Sequence, residues 1–266
     1  MMNAQDLMTP SPIHVTPGTP LATCAVLLSR HVIRHLPVVD ADGSVLGVVR
    51  DLDVFQHGGL LAGGGWISWG EPPADAGAVM IPAQTAGPYA PADEVLSRLA
   101  GAADDAVLVI GEGSRLVGII TEHDGVRLAQ DVLSETEPAR ATPAPMLRSI
   151  RLGKPAANAL GTMIARSVRH VLVIRGDRSL AGVVSVRDLI SDNVHEPGNT
   201  TLIDQVIRRS IPVTASAAVS AAALARLMAR QRIGCLPIIN NSGQISGIVS
   251  RTDLLRQAAD ALRREA

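Results

Sequence analysis

In three places a Gly and two apolar residues run into a hydroxyl that stands three residues before an aspartate: Thr121/Asp124, Ser185/Asp188 and Ser250/Asp253. Two chemistries need this spacing. In one, the carboxylate accepts hydrogen bonds from a pair of vicinal hydroxyls, as on a ribose. The Ser or Thr hydroxyl and nearby backbone N–H groups at a helix start then face a phosphate. In the other, the same four residues form a capping box, which closes the first turn of a helix and needs no ligand. The two roles are compatible, and spacing alone leaves both open.

Each motif closes a longer repeat. Residues 36–53, 107–124, 171–188 and 236–253 align without gaps. Every block has an apolar run, a polar turn, a second apolar run containing Gly, and an Asp six residues after that Gly. The pairs are Gly47/Asp53, Gly118/Asp124, Gly182/Asp188 and Gly247/Asp253. The Asp residues are 71, 64 and 65 residues apart. Only the first block departs, with Arg50 where the others carry Ser or Thr. Asp51 could take over the cap there, while Arg50 could meet a phosphate or obstruct the site.

The elements that must position these residues follow from the pattern. Asp, Asn and Gly between β-branched runs predict a hairpin in each block. Helical spacing precedes it, with Leu21, Ala25, Leu28 and Val32 in the first repeat and Val219, Ala223, Leu227 and Met228 in the fourth. A second helix begins near each repeated Asp, and a short extended segment such as Ile13–Thr16 leads each unit. Residues 58–78 hold many Gly plus Pro72 and Pro73 and are expected to be a long loop; residues 134–143 are a linker. The expected organisation is repeat 1 at 3–57, repeat 2 at 79–133, repeat 3 at 144–195 and repeat 4 at 196–262.

Bulk properties narrow the function. Apolar residues make up 47% and aromatics only 2%, so the core is Val, Ile, Leu and Ala, and base-stacking platforms are scarce. The net charge of -1 argues against a nucleic-acid or anionic-membrane footprint. The N-terminus lacks a basic-then-apolar leader pattern, and there is no run of 18 apolar residues. A cytoplasmic protein is expected. Cys24 and Cys235 lie in apolar stretches and are expected to be buried thiols. No metal-ligand spacing and no nucleophile–base motif is present, so catalytic residues, a metal and a catalytic cofactor are not expected. His57 and His195 are expected in surface loops. Trp66 and Trp69 could mark an interface or pack on the chain's own surface.

The pattern of Gly, two apolar residues, Ser/Thr, two residues and Asp after a strand pair resembles the CBS domain. Leu36-Pro37 and Leu236-Pro237 open the first strand as in that family, whereas repeats 2 and 3 carry Val-Leu. The resemblance implies an α/β (α+β type) fold with four tandem CBS repeats forming two pseudo-twofold Bateman modules. It implies a regulatory protein that binds adenine nucleotides (AMP, ADP or ATP), or S-adenosylmethionine, in clefts between paired repeats and signals to a protein effector, without catalysis. A ligand-free assembly module is the other reading. A homodimer is expected, although the modules could instead pair within one chain.

Carried over to this sequence, the resemblance implies four clefts. Thr121 and Asp124 face Val15, Thr16, Arg34, His35 and Pro37. Ser185 and Asp188 face Val213, Thr214, Ile233, Gly234 and Pro237. Ser250 and Asp253 face Ile150, Val168, Arg169 and His170. Asp53 faces residues 103–108, including Asp104 and Asp105, whose carboxylates would repel a phosphate or favour a cationic ligand such as S-adenosylmethionine.

Overall fold

The computed structural model describes residues 2–60, 66–68, 75–101, 105–166, 168–194, 196, 198–207 and 212–265. Trp69, Asp104 and His195 lie outside them. The chain divides into two units, Met1–Asp124 and Gly125–Ala266, the boundary falling at the start of the second helix of repeat 2.

The constant spacing of the motifs extends through whole repeats. Positions in repeat 1 correspond to those 71, 135 and 200 residues later. Helices Leu21–Arg30, Ala92–Gly101, Ala156–Arg166 and Ala221–Gln231 start at corresponding positions. So do the hairpins His35–Val39/Val45–Arg50, Ala106–Ile110/Leu116–Thr121, His170–Ile174/Leu180–Ser185 and Cys235–Ile239/Ile245–Ser250. All four hairpins are antiparallel and shift register at the same place, for instance between Val38 and Val39 and between Ile238 and Ile239. A parallel segment lies against each first strand: Val15 on Val38, Ala86 on Val109, Ile150 on Val173 and Ala215 on Ile238.

Helix burial follows the apolar stripe, with two differences from expectation. In the first helix Leu21, Cys24, Ala25 and Leu28 are buried, but Val32 falls beyond the helix and is exposed. Its φ of 54° is left-handed, and Ile33 donates to the Leu28 carbonyl at 3.1 Å, a closing bond of the Schellman type. In the fourth repeat Val219 precedes the helix and Ala223 and Leu227 are half-buried; Met228 is buried as expected, together with Ala221, Leu224 and Ala225. Small Ala side chains allow close packing, which hides the stripe from a search for large apolar residues.

The repeats within a unit exchange their leading segments. Thr9–Pro10 pairs with Gly118 and Ile119 of repeat 2, while Ile81 pairs with Val48 of repeat 1. In the second unit Thr142–Pro143 pairs with Gly247 and Ile248 of repeat 4, and Ile207 lies on Gly182 of repeat 3. The repeated Gly follows from this exchange. A Cβ at Gly47 would stand 2.7 Å from the Ile81 carbonyl oxygen, and one at Gly247 2.8 Å from that of Thr142. At Gly118 it would run into Met8, with Cγ at 2.8 Å. The Gly thus serves the crossing segment, which packs where a side chain would stand.

The Gly-rich stretch after repeat 1 is not wholly a loop. Gly58–Leu60 and Trp66–Ser68 form a short antiparallel pair, and Ala76–Val79 is a helical turn capped by Asp75. Trp66 packs on Phe55 of its own chain, with ring centroids 6.4 Å apart. Both cysteines are buried and unpaired. Among the described residues no helix is long and apolar enough to cross a membrane.

Candidate functional site

Every repeat brings its hairpin end and its second helix start to the same point. The N–H of the first helical residue donates to the carbonyl just before the first strand. These bonds are Asp51 to Arg34 (2.9 Å), Glu122 to Asp105 (3.2 Å), Val186 to Arg169 (3.1 Å) and Arg251 to Gly234 (3.1 Å). The residue before the strand and the motif residues are therefore neighbours by construction.

At the helix start the carboxylate turns back on its own motif. The backbone N–H of Thr121 donates to Asp124 Oδ2 at 2.9 Å and its hydroxyl donates to the same oxygen at 2.8 Å. Ser185 does this to Asp188 at 2.7 and 2.6 Å, and Ser250 to Asp253 at 2.8 and 2.6 Å. The Asp253 N–H donates in return to Ser250 Oγ at 3.2 Å. Ser185 and Ser250 thus close capping boxes, and Thr121 forms the carboxylate half of one. Every bond these three carboxylates accept within the motif falls on Oδ2, so Oδ1 keeps its acceptor capacity, as a carboxylate has about four lone-pair sites. Asp188 is exposed, and Asp124 and Asp253 are half-buried.

Repeat 1 keeps the register of the box and changes its chemistry. Arg50 N–H donates to Asp53 Oδ2 at 3.0 Å, Nε donates to Oδ2 at 2.8 Å and Nη2 donates to Oδ1 at 2.7 Å. The expectation that Asp51 takes over the cap does not hold: its Oδ1 accepts from the Leu52 N–H at 2.8 Å. The long Arg50 side chain folds back onto Asp53 and leaves the cap where the other repeats have it.

Within the first unit, Arg34 of repeat 1 reaches the helix start of repeat 2. Its Nη2 is 3.7 Å from Glu122 Oε2 and its Nη1 is 3.8 Å from Asp105 Oδ2. Arg34 thus stands beside the residue that follows Thr121. His35 and Pro37 are buried in the strand that follows, and Val15 is buried against it, bonded to Pro37 and Val39. Thr16 is exposed and its N–H donates to Thr19 Oγ1 at 3.1 Å.

In the second unit Gly234 stands at the counterpart of Asp105 and meets His170, the residue after Arg169, which is the counterpart of Arg34. A Cβ at Gly234 would overlap the His170 imidazole, so the ring occupies the place of a side chain there. The Arg251 Nε donates to the Ile233 carbonyl at 3.1 Å. Val168 donates its N–H to Met163 at 3.0 Å, which turns the chain toward Arg169.

The fourth-repeat segment needs a shift. Val213 and Thr214 look like Val15 and Thr16, but the residues in those places are Ala215 and Ser216. A spacing of 200 residues, common to helix start and hairpin, identifies them; the Val-Thr dipeptide is a decoy. The same rule adds Arg151 beside Ile150, and Ala86 and Gly87 in repeat 2. Among the described residues no three His, Cys, Asp or Glu side chains converge as a metal site would require.

The model of the CBS domain matches residues 4–58, 76–131, 144–193 and 203–260. The chain belongs to the CBS-domain family. It is 22% identical over 278 residues to the uncharacterised protein MJ1225 of Methanocaldococcus jannaschii, covering 93% of this chain and 95% of that one. The crystal structure of that protein superposes with a TM-score of 0.77 at 19% identity, covering 96% and 99% of the two chains. An uncharacterised conserved protein from Pyrococcus horikoshii gives a TM-score of 0.66 at 19% identity, covering 97% and 100%. The chloroplast protein CBSX2 of Arabidopsis thaliana is 52% identical over 51 residues, which is 19% of this chain and 21% of that one. These CBS likenesses extend over nearly the whole chain and establish four tandem repeats, paired as two pseudo-twofold Bateman modules.

Proposed function

We propose that the protein is a regulatory sensor of adenine nucleotides that binds AMP, ADP or ATP in clefts between paired repeats and passes the signal to a protein effector. The observation that carries this is the half-used carboxylate. Asp124, Asp188 and Asp253 each spend Oδ2 on the cap. Oδ1 is left to accept from a ribose hydroxyl, and the adjoining hydroxyl and N–H groups suit a phosphate. The best-equipped clefts are those of Asp124, with Arg34, His35, Val15 and Thr16, and of Asp253, with Arg169, His170, Ile150 and Val168. Arg34 adds a guanidinium beside the Thr121 helix start, 3.7 Å from Glu122. Support also comes from CBSX2, which shares 52% identity with this chain over a 51-residue segment and is known in complex with AMP. A ligand that changed the fit of two exchanged repeats would alter a surface that a partner could read. The reading makes the protein non-catalytic, cytoplasmic and a homodimer.

A second reading has its own observation: every repeated Asp already has a structural task as a cap. On that reading the protein is a ligand-free assembly module. Thermal unfolding with AMP, ADP, ATP, S-adenosylmethionine and GTP separates the two. A ligand at 100 times its Kd adds about 2.7 kcal/mol. The sensor gains several degrees with an adenine compound, and Asp124→Ala/Asp253→Ala abolishes the gain. The assembly module shows no gain with any of them.

A further inference from the structure

We propose that the cleft built on Asp53 is closed to nucleotide by the chain's own guanidinium, so that the first unit has one binding cleft and one self-occupied cleft, with Arg50 as the residue that decides. This rests on the nucleotide reading of the Asp124 and Asp253 clefts.

Three observations agree. First, Asp53 has no spare oxygen of the kind its counterparts keep. Arg50 donates Nε to Oδ2 at 2.8 Å and Nη2 to Oδ1 at 2.7 Å, and its backbone N–H adds a third bond at 3.0 Å. A forked guanidinium–carboxylate pair is charge-assisted on both arms. The Arg50 and Asp53 side chains are 21% and 12% exposed, so water weakens the pair little. Ribose hydroxyls would have to displace two ionic bonds with neutral ones and leave a guanidinium without its carboxylate. Second, the partner repeat supplies the wrong charge. Where repeat 1 offers Arg34 to the Asp124 cleft, repeat 2 offers Asp105, which is buried. Asp105 is itself 3.8 Å from the Arg34 guanidinium, so this position brings a phosphate no cation of its own. Third, the hydroxyl at Thr16 has Gly87 as its counterpart, which has no side chain. The hydroxyl, the partner cation and the free carboxylate oxygen are thus missing from one cleft, and all on the same side of the pseudo-twofold.

Isothermal titration of the full chain with adenosine and with AMP tests this by counting bound equivalents. Asp53→Asn leaves the count of the wild type unchanged, whereas Asp124→Asn lowers it by one. Arg50→Thr, which installs the residue that repeat 2 has at Thr121, raises the count by one for at least one of the two probes. Arg50→Thr/Asp53→Asn returns it to the wild-type value. Loss of an equivalent in Asp53→Asn overturns the proposal, and so does a correctly folded Arg50→Thr that gains none. If the wild type binds neither probe, the nucleotide reading fails. Arg50→Thr then still decides, because one acquired equivalent upholds self-occupation and none overturns it.

Discussion

Four equivalent positions close the centre of each unit, and the two units fill them with opposite charge. In the first unit they are Arg34, Asp51, Asp105 and Glu122; in the second they are Arg169, Val186, Gly234 and Arg251. These positions hold one cation and three carboxylates in the first, and two cations and two uncharged residues in the second. The backbone bonds at these positions are the same to within 0.3 Å, since they span 2.9 to 3.2 Å. The fold therefore fixes the geometry through main-chain groups and leaves the side chains free to set electrostatics.

The comparison breaks most severely at Arg34. Asp105 and Glu122 are buried, with Arg34 between them at 3.8 and 3.7 Å. Arg34→Met is expected to cost about 3 kcal/mol in urea unfolding, the range for stranding a buried charge, and Asp105→Asn in that background recovers part of it. An equal loss with and without Asp105→Asn would show that the carboxylate plays no part. In the second unit the weak point is steric. Gly234→Ala pushes a methyl group into the His170 ring and is expected to cost about 2 kcal/mol by overpacking. His170→Ala relieves this in a double-mutant cycle; additivity of the two would refute the contact.

Much of this was legible in the sequence. Asp-to-Asp spacing gave four repeats and their hairpins, because a two-residue side-chain period between turn residues is a local signal. The caps were legible too, since Ser250 and Asp253 are three residues apart. What stayed hidden was non-local. That Met8 covers Gly118 depends on segment exchange between repeats, and that His170 covers Gly234 on how two hairpins meet; neither leaves a periodic trace. The shift from Val213/Thr214 to Ala215/Ser216 was hidden by a chance dipeptide, although the helix start at Ala221 carried the correct spacing. Arg50 was visible as a departure, but only geometry shows both of its arms on Asp53.

Smaller effects sharpen the comparison. Ser250→Ala removes the hydroxyl that accepts from Asp253 N–H and donates to its Oδ2, and is expected to cost about 1 kcal/mol of cap energy without ligand. Val32→Gly is expected to raise stability by about 1 kcal/mol, because a β-branched residue at φ 54° is strained and its side chain is exposed. A fall in the unfolding midpoint would show that Val32 makes a contact that outweighs the strain.

The thiols give the smallest contrast. Burial pushes Cys24 up to about 11, with Asp75 adding to it, and pushes Cys235 up to about 12. Both are raised above the unfolded value, so they contribute stability below about pH 9 that is lost as pH climbs toward 11 and 12. Thiol labelling at pH 8 is expected to be slow for both, since both are buried. Rapid labelling of Cys235 in folded protein would contradict its burial.

The exchange of leading segments also has a consequence in time. On a ribosome, Thr9 and Pro10 are made early, but their partners Ile119 and Gly118 emerge only more than a hundred residues later. Thr142 likewise waits for Ile248. Until then the Gly surface of a hairpin stays uncovered and the leading strand stays unpaired. A nascent single repeat is therefore an incomplete object, and the smallest piece that can close its own surface is a pair. Duplication of this chain in evolution, or its truncation in the laboratory, should succeed in steps of two.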